Sequence, residues 1–399
     1  MHQIASTESL VDRASENLPT IEASSHDALT TMPLKIFING RFLSQSLTGV
    51  QRYAAEMVKA MDRMLASGDA PRPLLEAEWQ LLAPPNATAA IDLTYIKTRK
   101  VGRRTGHAWD QVDLARAAWG GRLISLANSG PVVHRNQLVV IHDAQVFRRP
   151  DFFSRSYLTL HRTLGYLLAR RASIATVSDF SRRELADALR LAPAAIPVFS
   201  NSAEHFAATV PDFGVIERLG LVPHRFFLSV GSMTKNKNIS LAIQAAKQLG
   251  RPDIPLVVVG GDNNKVFSGG PTAGDASVVL AGRLTDHEIA ALYSRATAFV
   301  FPSLYEGFGV PPLEAMLFGC PVIATTADAV RETCGDAAAY FDPLNTGELR
   351  QRMIERIEAG TISDDERRRQ QLRLAMYSWR KSADDLLRFL GNTEAQGAP

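Results

Sequence analysis

From residue 34 nearly to its end, the chain alternates short apolar runs with longer amphipathic stretches. Apolar runs bounded by turn residues read as buried strands, and apolar residues three and four apart read as helices. In the first half this pattern predicts strands at 34–38, 79–83, 123–127, 137–141 and 174–177. Helices are expected at 50–65 and 153–171, and another opens on the capping-box pattern Ser181-Arg-Arg-Glu184. Residues 205–224 have weak periodicity and two prolines, and read as a linker. The rhythm then resumes, with strands at 226–230, 255–259, 278–281, 298–301 and 321–324, and a second capping box at Thr285-Asp-His-Glu288. An amphipathic helix is expected at 379–390. Strands alternating with helices predict an α/β chain of two doubly wound parallel sheets, Rossmann-like and facing a cleft. The expected organisation is a polar tail at 1–31, domains at 32–205 and 206–376, a C-terminal helix at 377–391 and a short tail at 392–399.

One run carries the most chemistry: Pro302-Ser-Leu-Tyr-Glu-Gly-Phe-Gly-Val-Pro-Pro-Leu-Glu-Ala-Met316. It follows a strand and leads into an apolar helix expected at 313–318. Pro311 and Pro312 suit a helix's first turn, where a missing N–H costs little. Gly307 and Gly309 let the backbone approach a ligand closely. Amides at a helix start favour an anion such as a diphosphate. Glu306 outside the turn and Glu314 one turn inside are placed to accept from hydroxyls on opposite sides of that phosphate. An ordinary strand–turn–helix with solvated acids is the plain alternative, and the whole constellation argues against it.

Other strand ends add candidates. Lys235 and Lys237, in Gly231-Ser-Met-Thr-Lys-Asn-Lys-Asn238, are suited to neutralise a diphosphate, in a loop without the Gly-Lys-Ser/Thr ending of a Walker motif. Arg283 closes another strand and is a candidate phosphate partner. His142 and Asp143 end a very apolar strand, which turns the histidine toward the cleft. Gly49 opens the first helix and permits close approach of a ligand, and Asn128-Ser-Gly130 offers polar contacts to an acceptor. For each of these, a plain solvated or capping role stands beside the functional one.

Composition narrows the classes. A formal net charge of +3 is too small to argue for nucleic acid. Two cysteines, Cys320 and Cys334, suit a reducing compartment rather than a disulfide framework. No apolar run reaches the ~18 residues of a membrane span, and no secretory signal is evident. A cytoplasmic protein is expected. Lys97, Arg99, Lys100, Arg103 and Arg104 form a basic run, either a solvated face or one drawn peripherally to anionic lipid at the inner membrane.

Together these residues resemble a family 4 retaining glycosyltransferase of the GT-B fold, group 1 type. Glu306-x7-Glu314 matches that family's paired-glutamate motif, within Tyr305-Glu-Gly-Phe-Gly-Val-Pro-Pro-Leu-Glu-Ala-Met316. Gly319-Cys-Pro-Val-Ile-Ala324, Gly335-Asp-Ala-Ala-Ala-Tyr-Phe-Asp-Pro343, Thr176-Val-Ser-Asp-Phe-Ser-Arg-Arg-Glu-Leu185 and Thr48-Gly-Val-Gln-Arg-Tyr53 also read as in that family. The likeness spans about residues 34–390. It implies that Glu314 binds the donor ribose and Glu306 the transferred hexose. The amides of Gly307, Phe308 and Gly309 would hold the diphosphate with Lys237, and His142 would sit against the sugar. The last helix would cross back to the first domain. The chain departs from the family pattern where Lys235 replaces the more usual arginine near the phosphate-loop lysine, and where Ala329-Val-Arg-Glu332 replaces the more usual Pro-Glu.

The implied activity is transfer of a hexose, with mannose favoured, from a nucleotide diphosphate sugar to a glycan or lipid-linked acceptor. No Asp-x-Asp stands at a strand end, so no metal and no other cofactor are expected. A nucleotide-sugar 2-epimerase and a catalytically silent sugar-nucleotide-binding protein are the alternatives. A NAD-dependent dehydrogenase would need Gly-x-Gly-x-x-Gly after its first strand, and Asn39-Gly-Arg-Phe-Leu-Ser44 lacks it.

Overall fold

The strands fall into two six-stranded sheets, and every pairing in both is parallel. The first holds β1 (Lys35–Asn39), β2 (Glu78–Ala83), β3 (Lys97–Lys100), β4 (Arg122–Ser125), β5 (Gln137–Val140) and β6 (Ser173–Ala175). The second holds β7 (Phe227–Val230), β8 (Leu256–Val259), β9 (Val278–Gly282), β10 (Ala298–Phe301), β11 (Val322–Thr325) and β12 (Ala339–Phe341). The orders are β3-β2-β1-β4-β5-β6 and β12-β11-β10-β7-β8-β9, the same doubly wound order counted within each half. The order reverses between β1 and β4, and again between β7 and β10. Ligands bind beyond the carboxyl ends of strands at such points.

This computed structural model describes residues 33–261 and 276–395. The tail expected at 1–31 lies outside the described residues, as does 396–399 of the second tail. From Leu34 onward the chain forms one compact unit. Strands β5, β8, β10 and β11 are buried along their whole length, as continuous apolar runs require when helices cover both faces.

Helix Gly49–Ala66 turns Tyr53, Met57 and Met61 inward, four residues apart, onto the first sheet. Helix Trp379–Ala395 lies against it, burying Trp379, Leu386, Leu387 and Leu390. Ser382 Oγ donates to the Ser200 carbonyl at 2.7 Å, and the Trp379 ring sits 5.8 Å from Tyr53. The C-terminal helix therefore packs on the first half. It runs on to Ala395, so part of the tail expected at 392–399 is helical.

Several local expectations need correction. The cap of helix Asp179–Leu189 is Ser178, whose extended backbone lets its hydroxyl accept from Ser181 N. Ser181 is already inside the helix, and its hydroxyl is drawn away to two carbonyls of the cleft. The linker expected at 205–224 contains helix Gly214–Arg218, and Phe206, Val215 and Ile216 are buried there. The basic run includes a strand, β3, on the sheet edge, with all four residues exposed. Helix Val310–Leu317 begins three residues before the expected start, because Gly309 takes a left-handed φ of 95° as its N-cap.

Candidate active site

Two loops leave the switch point of the second sheet. The loop after β7 carries the short turn Lys235–Lys237, and the loop after β10 carries Glu306 and the glycine turn. Leu304 N donates to the Asn236 carbonyl at 2.7 Å and joins them. Lys237 Nζ then donates to Glu306 Oε1 at 2.7 Å, with both side chains largely buried. Asp143 of the first half shares this neighbourhood. Its carboxyl is held above the ordinary range by burial, and the Glu306 charge pushes the same way. A cavity of about 250 Å³ opens beside Glu306, lined also by Tyr305, Phe180 and Asp328.

Glu314 lies within helix Val310–Leu317 and is 9% exposed. A carboxylate that deep needs partners. It accepts from Tyr293 Oη at 3.1 Å on one oxygen, and its other oxygen lies 3.1 Å from His205 Nε2. Neither partner was assigned from the sequence. His205 sits in a segment without periodicity, and Tyr293 reads as one more apolar position of its helix. Because Pro311 and Pro312 fall inside the first turn and lack N–H groups, the amides available to an anion here are those of Gly309 and Val310 and of Gly307 and Phe308 just before the cap.

The glycine turn presses on the first half. The Gly307 carbonyl accepts from Ser178 Oγ at 2.5 Å and Ser181 Oγ at 2.9 Å, and Ser181 also donates to the His142 carbonyl at 2.9 Å. A Cβ on Gly307 would stand 2.2 Å from the His142 carbonyl oxygen. Phe308 is buried with its ring edge-on to Tyr377 at 5.1 Å, and its carbonyl accepts from Thr333 Oγ1 at 2.6 Å. Glu332 accepts from the amides of Asp179 and Phe180 at 2.7 and 2.6 Å, capping a first-half helix from the second half. Glu332 thus has a bridging role that its sequence context did not reveal.

His142 follows β5 and is 6% exposed. Its N–H donates to Asn128 Oδ1 at 2.7 Å, and its Nε2 lies 2.9 Å from the Leu126 carbonyl. Tyr53 meets its ring edge-on at 4.6 Å. Burial drives the imidazole pKa down to about 4. The ring is therefore neutral near pH 7, with Nε2–H donating to Leu126 and Nδ1 as its acceptor. It is suited to accept from a hydroxyl and not to supply positive charge.

The remaining candidates are more dispersed. Lys235 is exposed, and its Nζ lies 3.5 Å from the Asp151 carbonyl of the first half. Arg283 is exposed just past the end of edge strand β9, two strands from β7. Gly49 begins its helix, and a Cβ there would meet nothing within 4 Å. Three residues on, Arg52 pairs with Asp286 of the second half through two bonds of 2.8 and 2.9 Å. Such a bidentate pair fixes orientation as well as charge. Among the described residues, no group of three or more His, Cys, Asp or Glu side chains is placed to hold a metal ion.

Comparison with known proteins points one way. Residues 219–373 match the family model for Glycosyl transferases group 1. The chain is 25% identical over 389 residues to O-antigen chain mannosyltransferase B of Escherichia coli, covering 87% of this chain and 96% of the relative. It is 29% identical over 214 residues to O-antigen chain mannosyltransferase RfbU of Salmonella typhimurium, covering 52% and 57%. Among solved structures, sucrose-phosphate synthase from Thermosynechococcus elongatus superposes with a TM-score of 0.65 at 16% identity, over 91% of this chain and 99% of that one. That likeness concerns the two-domain fold. The family match over the glutamate turn and the curated relatives together support a group 1 glycosyltransferase of the family 4 type, and the solved neighbours share its two-domain GT-B fold.

Proposed function

We propose that this glycosyltransferase moves a hexose from a nucleoside diphosphate sugar to a glycan acceptor with retention of anomeric configuration. We further propose that the hexose is mannose and the acceptor a surface polysaccharide chain, free or lipid-linked. The observation that carries the reading is the glutamate turn at the second switch point. There Glu306, in the loop after β10, is bound to Lys237, and Glu314, in the short helix that follows, is held by Tyr293 and His205. Mannose and the polysaccharide acceptor rest on the printed activities of the O-antigen mannosyltransferase relatives.

In this reading Glu314 accepts from the ribose hydroxyls. The amides of Gly307 to Val310 and the ammonium of Lys237 bind the diphosphate. As the bond from the anomeric carbon to the phosphate oxygen breaks, negative charge grows on that oxygen, and fixed dipoles with Lys237 stabilise it. The acceptor hydroxyl oxygen forms the new bond on the same face. Its proton passes to the departing phosphate. Glu306 positions the hexose and holds Lys237, and no covalent link to Glu306 is formed. His142 accepts from a sugar hydroxyl through Nδ1. The positive charge that the leaving group needs comes from Lys237 and the backbone, so we propose that no metal is required. No helix among the described residues is long and apolar enough to cross a membrane. The exposed cations of β3 support peripheral contact with an anionic surface.

A thermal-shift panel tests the donor. The panel holds GDP-mannose, UDP-glucose, UDP-galactose, UDP-GlcNAc and NAD, without added metal. A ligand that binds only the native state raises the melting temperature by mass action. GDP-mannose is expected to give the largest shift, and Glu314→Ala to abolish it. A shift with NAD alone, or none with any sugar nucleotide, contradicts the reading.

A further inference from the structure

The first half carries a row of rings that the donor site does not use. Helix Arg155–Ala169 buries only Gly165 and Leu168. Tyr157 and His161, four residues apart, share one face, and Phe153 stands just before the helix. The rings of Phe153 and Tyr157 are stacked, with centroids 5.1 Å apart and planes 6° apart. Tyr157 and His161 follow at 4.0 Å, and His161 meets His107 edge-on at 5.6 Å. His107 Nδ1 lies 3.2 Å from the Arg41 guanidinium, which can only donate, so that nitrogen accepts. Arg41 is anchored in turn by the fully buried Asp110 at 3.1 Å. Asn39 at the end of β1 and Ser129 in the loop after β4 hold Asp110.

The row therefore ends at the switch point of the first sheet, where a ligand of that half is expected. Its other end adjoins the donor site. Lys235 reaches the turn just before Phe153, and the Tyr157 hydroxyl feels the charge of Asp143, the neighbour of Glu306 and Lys237. Phe153 stacks on Tyr157 and His161 tilts against it, so the row presents largely ring edges, and Tyr157 remains 42% exposed. Those edges are a phenol hydroxyl and imidazole nitrogens. Burial and the nearby Arg41 hold both histidines below the ordinary range, so the imidazoles are neutral near pH 7. Neutral rings offer donors and acceptors side by side, as a polyhydroxylated ligand needs. Stacking has already fixed the rings, so little rotamer freedom is lost on binding.

We infer that this row of ring edges, from Tyr157 through His161 to His107, is the acceptor subsite, and that it takes the terminal sugar of a neutral glycan chain. The inference rests on the transferase reading. Saturation-transfer NMR of α-linked mannotriose against the full chain, with GDP present, tests it. Wild type is expected to bind the trisaccharide. Tyr157→Ala should weaken binding about tenfold, equivalent to ~1.4 kcal/mol, and the GDP-mannose thermal shift should be unchanged. Tyr157→Phe keeps the stack and loses only the hydroxyl, so it should weaken binding by a smaller factor. Trisaccharide binding equal to wild type in both variants overturns the inference. So does a wild type that binds GDP-mannose but not mannotriose, or one in which Tyr157→Ala removes binding to phosphatidylglycerol vesicles instead. If the donor shift is itself missing, the transferase reading has failed first. Loss of the trisaccharide alone isolates the acceptor subsite.

Discussion

Alanine at Gly307 is expected to lower turnover by about a hundredfold, the scale of a misplacement near 1 Å at a reacting centre. The obstacle is backbone, not a side chain that can swing away. A Cβ would stand 2.2 Å from the His142 carbonyl oxygen and 3.0 Å from Asp143 Cβ. The turn must then retreat from the first half, loosening the bonds that Ser178 and Ser181 make to its carbonyl. Glu306 is the preceding residue and moves with it. The two sheets are separate and no strand pairing involves the turn, so secondary structure by circular dichroism should be unchanged while kcat falls. Turnover within twofold of wild type would show that contact between the halves at this point is not needed for transfer.

Glutamine at Glu306 is the second large effect. The substitution keeps the volume and an acceptor oxygen but removes the charge, so Lys237 loses its ionic partner at 2.7 Å. Loss of one preorganised polar contact in an active site lowers kcat by ~100-fold or more. Affinity for GDP should hold or tighten, because the freed Lys237 ammonium can pair fully with a diphosphate. Steady-state kinetics with GDP titrations separate the two effects. Near-normal turnover would remove Glu306 from the reaction, and weakened GDP binding would make it a donor anchor instead.

Much of this arrangement was legible in the sequence because it is written locally. The glutamates, glycines and prolines of the turn lie within one fifteen-residue run between Pro302 and Met316. The apolar strands around it have no other reading once both of their faces are covered. Strand β3 escaped, because an exposed edge strand is marked by charge rather than by apolar alternation. Strand β12 escaped because it is short and only its last residue, Phe341, is buried. The capping register was misread because Ser178 and Ser181 are both competent caps. The carbonyls of His142 and Gly307, 39 and 126 residues away from Ser181, draw that hydroxyl out of the contest. Separation in sequence likewise hides His205 behind Glu314, Glu332 behind the first-half helix, and Asp286 behind Arg52, while Tyr293, only 21 residues from Glu314, passes for one more apolar position of its helix. These pairings are set by tertiary packing, two of them between the halves, and no local pattern announces them.

The most direct measurement is the anomeric configuration of the product formed from GDP-mannose carrying carbon-13 at the anomeric position. The one-bond carbon–hydrogen coupling of the new linkage reads that configuration by NMR. Transfer on one face, with Glu306 as a positioning group, predicts a product with the same configuration as the donor. An inverted linkage would contradict the account.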